Sequence, residues 1–264
     1  GLVRNDAFDW PAQLATLVPS VDPDISVAFF GGNDSQGFST PLIQKIDSPE
    51  WRAEYAARVD QFIGLLGGPN RTVIWIGIPT HPGKANAGLA VQTEVVRERL
   101  AAHPEVHYVD LWSLFAGING GFSKLSRDPF TGEYIEVRTK VGEDYFHLNT
   151  RGTKILASLV TNLIADDLVA RGATQAADMK TALYPQDQPG LYEIVDNDNL
   201  TVIAKRVGTT IDAIVAVNGW ADENHVIFAK QKIKLPAPPL VQPATAVASN
   251  EPDPSTTTPP TSTG

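Results

Sequence analysis

Cysteine is absent from the 264 residues of this chain, and its absence excludes two kinds of stabilising chemistry. Without cysteine the protein forms neither a disulfide framework nor a thiolate metal site. The only close histidine pair, His103 and His107, flanks Pro104, which disfavours a shared helical face. We therefore expect no bound metal ion. The lack of cysteine does not by itself identify the redox compartment.

Basic clusters and long apolar runs are also absent from the sequence. Lysine and arginine total 21 against 30 aspartate and glutamate residues, which gives a formal net charge of −9. This balance argues against nucleic acid or an anionic membrane surface as a partner and favours a neutral or polar one. No apolar run reaches the roughly 20 residues that a membrane-spanning helix needs. Because the sequence starts at Gly1 without a signal peptide, we expect any targeting segment to have been removed or to lie upstream.

Apolar residues follow helical and strand periods in alternation through residues 1–171. Short apolar runs bounded by glycine or proline predict buried strands, and three- and four-residue spacing predicts amphipathic helices. The predicted order is helix 5–18, strand 25–30, helix 48–67, strand 72–78, helix 90–102, strand 106–109 and helix 153–170. This alternation is typical of an α/β fold with a doubly wound parallel sheet.

The first predicted strand runs into a glycine pair followed by Asn33. Ligands of open α/β sheets bind at such strand ends, and Gly31 and Gly32 allow the backbone to approach a substrate closely. The neutral carboxamide of Asn33 is suited to donating a hydrogen bond to a developing oxyanion. By itself the pattern is also consistent with an Asx-type turn that closes a strand.

A second polar motif precedes the last predicted helix of this region. Residues 117–143 are rich in glycine, serine and charge, and the alternating run 134–138 predicts a hairpin arm at the sheet edge. Asp144 and His147 follow, and a bent loop would let the carboxylate orient the imidazole and stabilise its positive charge. The alternative is a histidine that caps or packs against the start of the helix.

Together the two motifs resemble a known enzyme family. Residues 31–34 (Gly-Gly-Asn-Asp) and 144–147 (Asp-Tyr-Phe-His) resemble, in order and spacing, the third and fifth sequence blocks of the SGNH (GDSL-like) hydrolases. Residues 1–11 look like a bacterial cell-envelope branch of that family. The resemblance covers about residues 1–171 and implies a flavodoxin-like doubly wound sheet. It also implies ester hydrolysis or acyl transfer through an acyl-enzyme, without a cofactor.

By this resemblance Asp144 and His147 supply the acid and base of a Ser-His-Asp arrangement, and Asn33 supplies an oxyanion donor. The family's nucleophile is the serine of a Gly-Asp-Ser block at the end of the first strand, and no Gly-Asp-Ser occurs in this sequence. We therefore expect the first strand and its serine to lie upstream of Gly1, and the chain alone to be inactive. Gly1 is a candidate remnant of the second block, whose glycine donates a backbone N–H to the oxyanion. Ser35 is expected to be a turn hydroxyl.

Three further residues have prominent positions. His81 follows the strand 72–78 and is able to touch a substrate, but an exposed polar loop residue is the favoured interpretation. Asp110 is predicted to cap a turn, and Trp75 is predicted to lie in the core.

The composition changes after Arg171. Residues 172–190 mix alanine, threonine, glutamine, aspartate and proline and predict a linker. Residues 191–236 predict a strand, two short capped helices and a second strand. The motifs at 204–206 (Ala-Lys-Arg), 208–210 (Gly-Thr-Thr), 217–219 (Val-Asn-Gly) and 231–236 (Gln-Lys-Ile-Lys-Leu-Pro) are in register with those of a LysM domain, and residues 192–236 resemble such a domain along their whole length. The resemblance implies a βααβ fold and binding of N-acetylglucosamine-containing glycans.

The LysM resemblance assigns glycan binding to the loop before the first helix and the loop before the last strand. The candidate residues in these loops are Asp198, Asn199, Leu200, Asn224 and Ile227. Two positions depart from the LysM pattern. Asn197 stands where glycine is usual, and residues 229–230 (Ala-Lys) replace the usual Pro-Gly. We expect the fold to tolerate both.

Residues 237–264 consist mainly of proline, threonine, serine and alanine and predict a disordered tail. We thus expect a hydrolase-like domain at 1–171, a linker at 172–190 and a LysM domain at 191–236. The leading hypothesis is an extracytoplasmic SGNH-type esterase or acyltransferase. Its substrate would be an acylated glycan, with O-acetylated peptidoglycan as the first candidate, and LysM would tether it there. The alternative is a non-catalytic peptidoglycan-binding envelope protein with a degenerate hydrolase domain.

Overall fold

Helices and strands alternate along the first part of the chain in the computed structural model, which describes residues 1–38 and 45–239. The tail predicted for 237–264 lies, from residue 240 onwards, outside the described residues. The elements before the LysM region are α1 (Trp10–Val21), β1 (Ile25–Phe29), α2 (Pro49–Leu66), β2 (Thr72–Ile76), α3 (Ala85–Ala101), β3 (Val106–Val109), α4 (Leu111–Leu114), β4 (Leu125–Arg127), β5 (Tyr134–Glu136) and α5 (Thr150–Ala170).

A three-stranded parallel sheet in the order β1-β2-β3 organises this part of the protein. Every residue of the central strand β2 is buried, as expected for a parallel strand covered on both faces. In β1 burial alternates instead, and Val27 and Phe29 are 47% and 54% exposed. The structure confirms a mixed α/β fold with a parallel sheet. It also shows that one face of β1 is uncovered.

Helix ends follow from local capping. The Ser48 side chain accepts a hydrogen bond from the backbone N–H of Trp51 at the start of α2, and Pro49 occupies the first turn. Asp9 caps α1 in the same way, so that this helix begins at Trp10 and not at residue 5 as predicted. Asp110 caps α4, as predicted.

The main core lies between the sheet and helix α2. Trp75 is buried, as predicted, and its ring packs against the rings of Phe30 and Phe62 at centroid distances of 4.9 and 6.0 Å. Helix α2 turns a continuous apolar face to this core because its large residues recur at three- and four-residue spacing. The buried residues of that face are Trp51, Tyr55, Val59, Phe62, Ile63 and Leu66.

The excursion at 117–143 forms a small antiparallel sheet of β4 and β5. This hairpin is not part of the parallel sheet, contrary to the prediction of an arm at the sheet edge. Its side chains Leu125 and Tyr134 pack instead into an apolar cluster that belongs mainly to the C-terminal module.

That module has the predicted strand-helix-helix-strand order: β6 (Gly190–Glu193), α6 (Leu200–Val207), α7 (Ile211–Asn218) and β7 (Lys232–Leu235). Strands β6 and β7 pair antiparallel. Asn197 and Lys230 have positive φ angles of 68° and 69°, which explains why glycine is usual at the first position and in the Pro-Gly pair.

The segment predicted as a linker is attached to both of its neighbours. Residues Thr174–Met179 form a 3₁₀ helix that packs on α5. Asn162 of α5 exchanges two hydrogen bonds with the backbone of Thr181, both of 2.9 Å. Further on, the Arg127 guanidinium donates to the carbonyl oxygens of Gln186 and Gln188. The connection therefore follows α5 and the hairpin.

The hairpin and the C-terminal module share one apolar core. Leu125 and Tyr134 lie in the same buried cluster as Ile203, Val207 and Ile233. Backbone bonds reinforce this contact at both ends. The N–H of Ile118 donates to the Val207 carbonyl at 2.8 Å. That of Leu191 donates to the Gly132 carbonyl at 2.9 Å. Among the described residues, no helix is long and apolar enough to cross a membrane.

Candidate active site and glycan-binding site

Three loops meet at the carboxyl edge of the parallel sheet. The loop after β1 holds Gly32 and Asn33, the loop after β2 holds His81, and residues 144–147 precede α5. Gly32 lies directly against the ring of Phe146, since a Cβ on this glycine would stand 3.1 Å from Phe146 Cε1. Only glycine permits so close an approach without displacing the ring.

His81 joins the second loop to the third. Its Nδ1 accepts a hydrogen bond of 2.8 Å from the Gly83 backbone N–H, so the neutral imidazole carries its proton on Nε2. Nε2 stands 3.6 Å from Asp144 Oδ2, and the ring lies beside Phe146 at a centroid distance of 5.4 Å. His81 is only 17% exposed. The expectation of an exposed polar loop residue was therefore wrong.

Asp144 and His147 lie in the same loop but are not paired in the structure. Asp144 Oδ1 accepts a hydrogen bond of 3.0 Å from the Phe146 N–H, and this local turn directs Oδ2 toward His81. Although both residues are described, no hydrogen bond or ion pair joins Asp144 to His147. The His147 ring is exposed and stands edge-on to Phe146 at 5.6 Å.

A buried arginine, Arg138, holds this loop in place through hydrogen bonds to backbone and side-chain oxygens. The Arg138 guanidinium donates to the Phe146 carbonyl at 2.9 Å, and to Thr80 Oγ1 and the Phe115 carbonyl at 3.1 Å each. It has no carboxylate partner among the described residues, and its Nε has no hydrogen-bond partner there. Burial lowers the pKa of Arg138 to about 10. Arg138 thereby ties the loop of His147 to the residue that precedes His81.

The loop after β1 is fixed by Asp34. Its carboxylate accepts hydrogen bonds from the N–H groups of Leu2 and Val3 and from the Tyr55 hydroxyl. Burial raises the pKa of Asp34, and these donors oppose the shift. The result is a buried anchor beneath Asn33, whose own carboxamide is exposed and has no hydrogen bond within the described chain.

The remaining predicted residues of this domain fall near the same loop. Gly1 lies against the Asp34 carboxylate, which leaves no room for a side chain at this position. Ser35 packs against Gly88 of α3, so its neighbour is a helix and not one of the two histidines. The structure brings Asn33, His81, Asp144 and His147 to one edge of the sheet through their loops.

Two of the predicted glycan-binding residues are structural in this protein. The Asp198 side chain is fully buried, forms an ion pair of 3.0 Å with Arg206 and accepts a hydrogen bond of 2.7 Å from the Tyr192 hydroxyl. Leu200 is buried in the module core. Their assignment to glycan contact is therefore corrected, because neither side chain reaches the surface of the loop.

The other three predicted residues remain near the surface. Asn199 is exposed and caps α6 by accepting a hydrogen bond from the Val202 N–H. Asn224 is exposed, and Ile227 is half-buried against the module core. Beside them, Val226 and Phe228 are 65% and 67% exposed. Both lie in the loop 224–228, to which the LysM resemblance assigns glycan binding, but they were not among the five candidate residues named there. Two apolar residues in a polar loop before a strand are a recognisable signal.

Arg138 also escaped prediction as a site residue, and His81 was considered as one but not favoured. For His81 the signal was its position directly after a buried parallel strand, the same argument that identified Asn33. For Arg138 there was none, because a strand-like arginine in an alternating run resembles a solvent-facing residue. Its burial follows from tertiary packing against Phe115 and Phe122.

These features define an α/β protein with polar loops at the carboxyl edge of its sheet and a C-terminal LysM module. Residues 192–236 match the LysM domain, which indicates binding of glycans such as peptidoglycan and is typical of extracellular or cell-envelope proteins. Residues 1–163 match the family described as a protein of unknown function, DUF459, and the chain belongs to this family. No curated protein matches the chain.

Proposed function

We propose that the protein is an extracytoplasmic SGNH-type esterase or acyltransferase that acts on an acylated glycan, with O-acetylated peptidoglycan as the first candidate. The observation that carries the proposal is the meeting of Asn33, His147, Asp144 and His81 at the carboxyl edge of a parallel sheet. The proposed fold is flavodoxin-like, and the LysM module holds the glycan near this edge.

In the proposed reaction, His147 takes the proton of a serine hydroxyl as its oxygen attacks the acyl carbonyl. Asn33 donates a hydrogen bond to the resulting oxyanion, and Asp144 stabilises the imidazolium. The imidazolium then protonates the departing sugar oxygen, which leaves an acyl-enzyme. Water or a sugar hydroxyl, deprotonated by the same imidazole, attacks the acyl-enzyme and releases the serine.

We further propose that the serine lies on a strand that pairs with the free edge of β1. Support comes from β1 itself. Within residues 1–38 and 45–239 it pairs only with β2, so its other edge is unpaired, and Val27 and Phe29 are exposed on one of its faces. An unpaired edge with apolar side chains is a ready template for another strand. A strand added there would end at the same sheet edge as Asn33.

The test compares this chain with a protein extended by the coding sequence upstream of Gly1. We expect acetate release from O-acetylated peptidoglycan and labelling by a fluorophosphonate with the extended protein only, because the chain itself has no Gly-Asp-Ser nucleophile. Absence of both signals from the extended protein would exclude the esterase. If this chain were labelled and Ser35→Ala abolished the labelling, Ser35 would be the nucleophile and not a turn hydroxyl.

A non-catalytic glycan-binding protein is the second candidate. The observation in its favour is that Asp144 faces His81 while His147 has no carboxylate partner within the described residues. The enzyme requires Asp144 to turn from His81 toward His147, whereas the binding protein does not. In the second case the extended protein binds glycan but has no Gly-Asp-Ser block and releases no acetate.

The exposed aromatic of the LysM loop leads to a prediction for glycan binding. Replacing Phe228 by alanine in the full chain should lower the fraction retained by insoluble peptidoglycan several-fold, because a sugar ring packs its apolar face on aromatic side chains. Phe8→Ala is the matched control, since Phe8 is also exposed but lies in the first domain. Equal retention of the two variants would contradict a role for Phe228.

A further inference from the structure

A groove lies between the β4–β5 hairpin and the LysM module, outside the loops of the candidate active site. It has a volume of about 630 Å³, within the range of roughly 300–1,000 Å³ that is typical of ligand pockets. One wall is the hairpin β4–β5 with the first turn of α5, and the other is β6 with the start of the loop after it. The residues that matter here are Lys124, Glu136, Arg151, Glu193 and Val195.

The two walls are held in fixed relation. Lys232 of the module forms an ion pair of 2.9 Å with Glu133 of the hairpin. Ser123 Oγ donates to the Arg206 carbonyl at 2.9 Å, and the Tyr134 hydroxyl donates to the Pro236 carbonyl at 2.7 Å. A groove with such walls is preformed, so a ligand would bind without first ordering them.

One end of the groove lies at the first LysM loop, and the other end lies near residues 144–147. Val195 belongs to the start of the first LysM loop, beside Asp196. At the other end, Lys124 Nζ stands 3.3 Å above the centroid of the Tyr145 ring, and Arg151 lies in the first turn of α5, shortly after His147. One end of the groove therefore reaches the start of the first LysM loop, and the other end is lined by Lys124 and Arg151, which lie next to the loop of the candidate active site.

Its lining suits a neutral polar ligand. Arg151 and Glu136 have no side-chain hydrogen bond or ion pair with any described residue, and Glu193 likewise has no direct partner. Donors and acceptors thus stand free on the same surface, with apolar patches at Leu191 and Val195. Sugar hydroxyl and acetamide groups use both donors and acceptors. A purely anionic or cationic ligand would meet a like charge somewhere along the groove.

We propose that this groove binds the continuation of the amino-sugar chain held by the LysM loops and leads it to the active site. The inference rests on the proposed function for the role of the active site. The predicted binding of the sugar chain in the groove does not depend on catalysis. If the groove binds the sugar chain, the substrate is a chain of several sugar units and not a single acylated sugar.

The test measures the binding of chitotriose and chitohexaose to the full chain by calorimetry. We expect the hexamer to bind roughly tenfold more tightly, because its additional units reach the groove, and a tenfold gain corresponds to about one good hydrogen bond. The double variant Glu136→Ala with Arg151→Ala should bind the hexamer only as tightly as the trimer and leave trimer affinity unchanged.

The control is Glu98→Ala with Lys154→Ala, which removes one exposed acid and one exposed base outside the groove at the same net charge. It should behave like the unmodified chain. Two results would contradict sugar binding in the groove: equal affinity of the unmodified chain for both oligomers, or an equal loss of affinity for both oligomers in the double variant Glu136→Ala with Arg151→Ala. Failure of the unmodified chain to bind either oligomer would overturn the groove and the LysM tether together, whereas loss of acetate release alone would affect only the proposed enzyme.

Discussion

His147→Ala in the extended protein should lower kcat by about 10³-fold or more, the scale on which a serine hydrolase depends on its base. The physical reason for choosing His147 is the state of the two imidazoles. Nδ1 of His81 already accepts a hydrogen bond from the Gly83 N–H, so this nitrogen is not available to a serine hydroxyl. The His147 ring has no hydrogen bond to any described residue.

His81→Ala provides the matched comparison, because both variants remove an imidazole from the same edge of the sheet. We expect His81→Ala to reduce kcat much less, since His81 is not the proposed base but only the group that Asp144 faces. The measurement is kcat for acetate release by both variants. A larger loss in His81→Ala than in His147→Ala would identify His81 and Asp144 as the working pair and reject our assignment.

Arg138→Ala should lower the free energy of unfolding by about 3 kcal/mol or more, the second large effect that we expect. Two buried acceptors, Thr80 Oγ1 and the Phe115 carbonyl, and the partly buried Phe146 carbonyl lose their donor. Each unsatisfied buried group costs about 1–3 kcal/mol. Removal of the buried positive charge offsets part of this cost, as the lowered pKa of Arg138 indicates. The cavity left between Phe115 and Phe122 adds to it.

The measurement is urea unfolding of the full chain, with Lys140→Ala as the control, because Lys140 lies two residues away and is exposed. Lys140→Ala should change stability by less than about 0.5 kcal/mol. Arg138→Lys should fall between the two, since one ammonium cannot reach three separated acceptors as a guanidinium does. A loss below about 1 kcal/mol in Arg138→Ala would contradict the role of Arg138 as a support of the site loop.

Much of the fold could be predicted because its signals are local. The strands at 25–29, 72–76 and 106–109 are apolar runs that end at glycine, proline or aspartate, and the LysM strands and helices carry recognisable caps. Helix starts differed by a few residues where the capping side chain stood elsewhere than expected, as at Asp9.

The details of the candidate site could not be predicted in the same way. The motif spacing places Asp144 near His147, but the hydrogen bond from the Phe146 N–H turns the carboxylate toward His81. Asp198 has the sequence position of a surface loop residue, yet Arg206 and Tyr192 enclose it. In both cases the side-chain direction depends on partners that the linear pattern does not bring together.

The apolar core shared by the hairpin and the LysM module has a thermodynamic consequence. Leu125 and Tyr134 would be exposed if the module unfolded alone, so its unfolding free energy includes contacts made by another part of the chain. The module is thus stabilised by its contact with the hairpin, and we expect the two to unfold together. A LysM domain from another protein would replace this module only if its surface were redesigned to pack against Leu125 and Tyr134. The shared core therefore limits the exchange of domains during evolution.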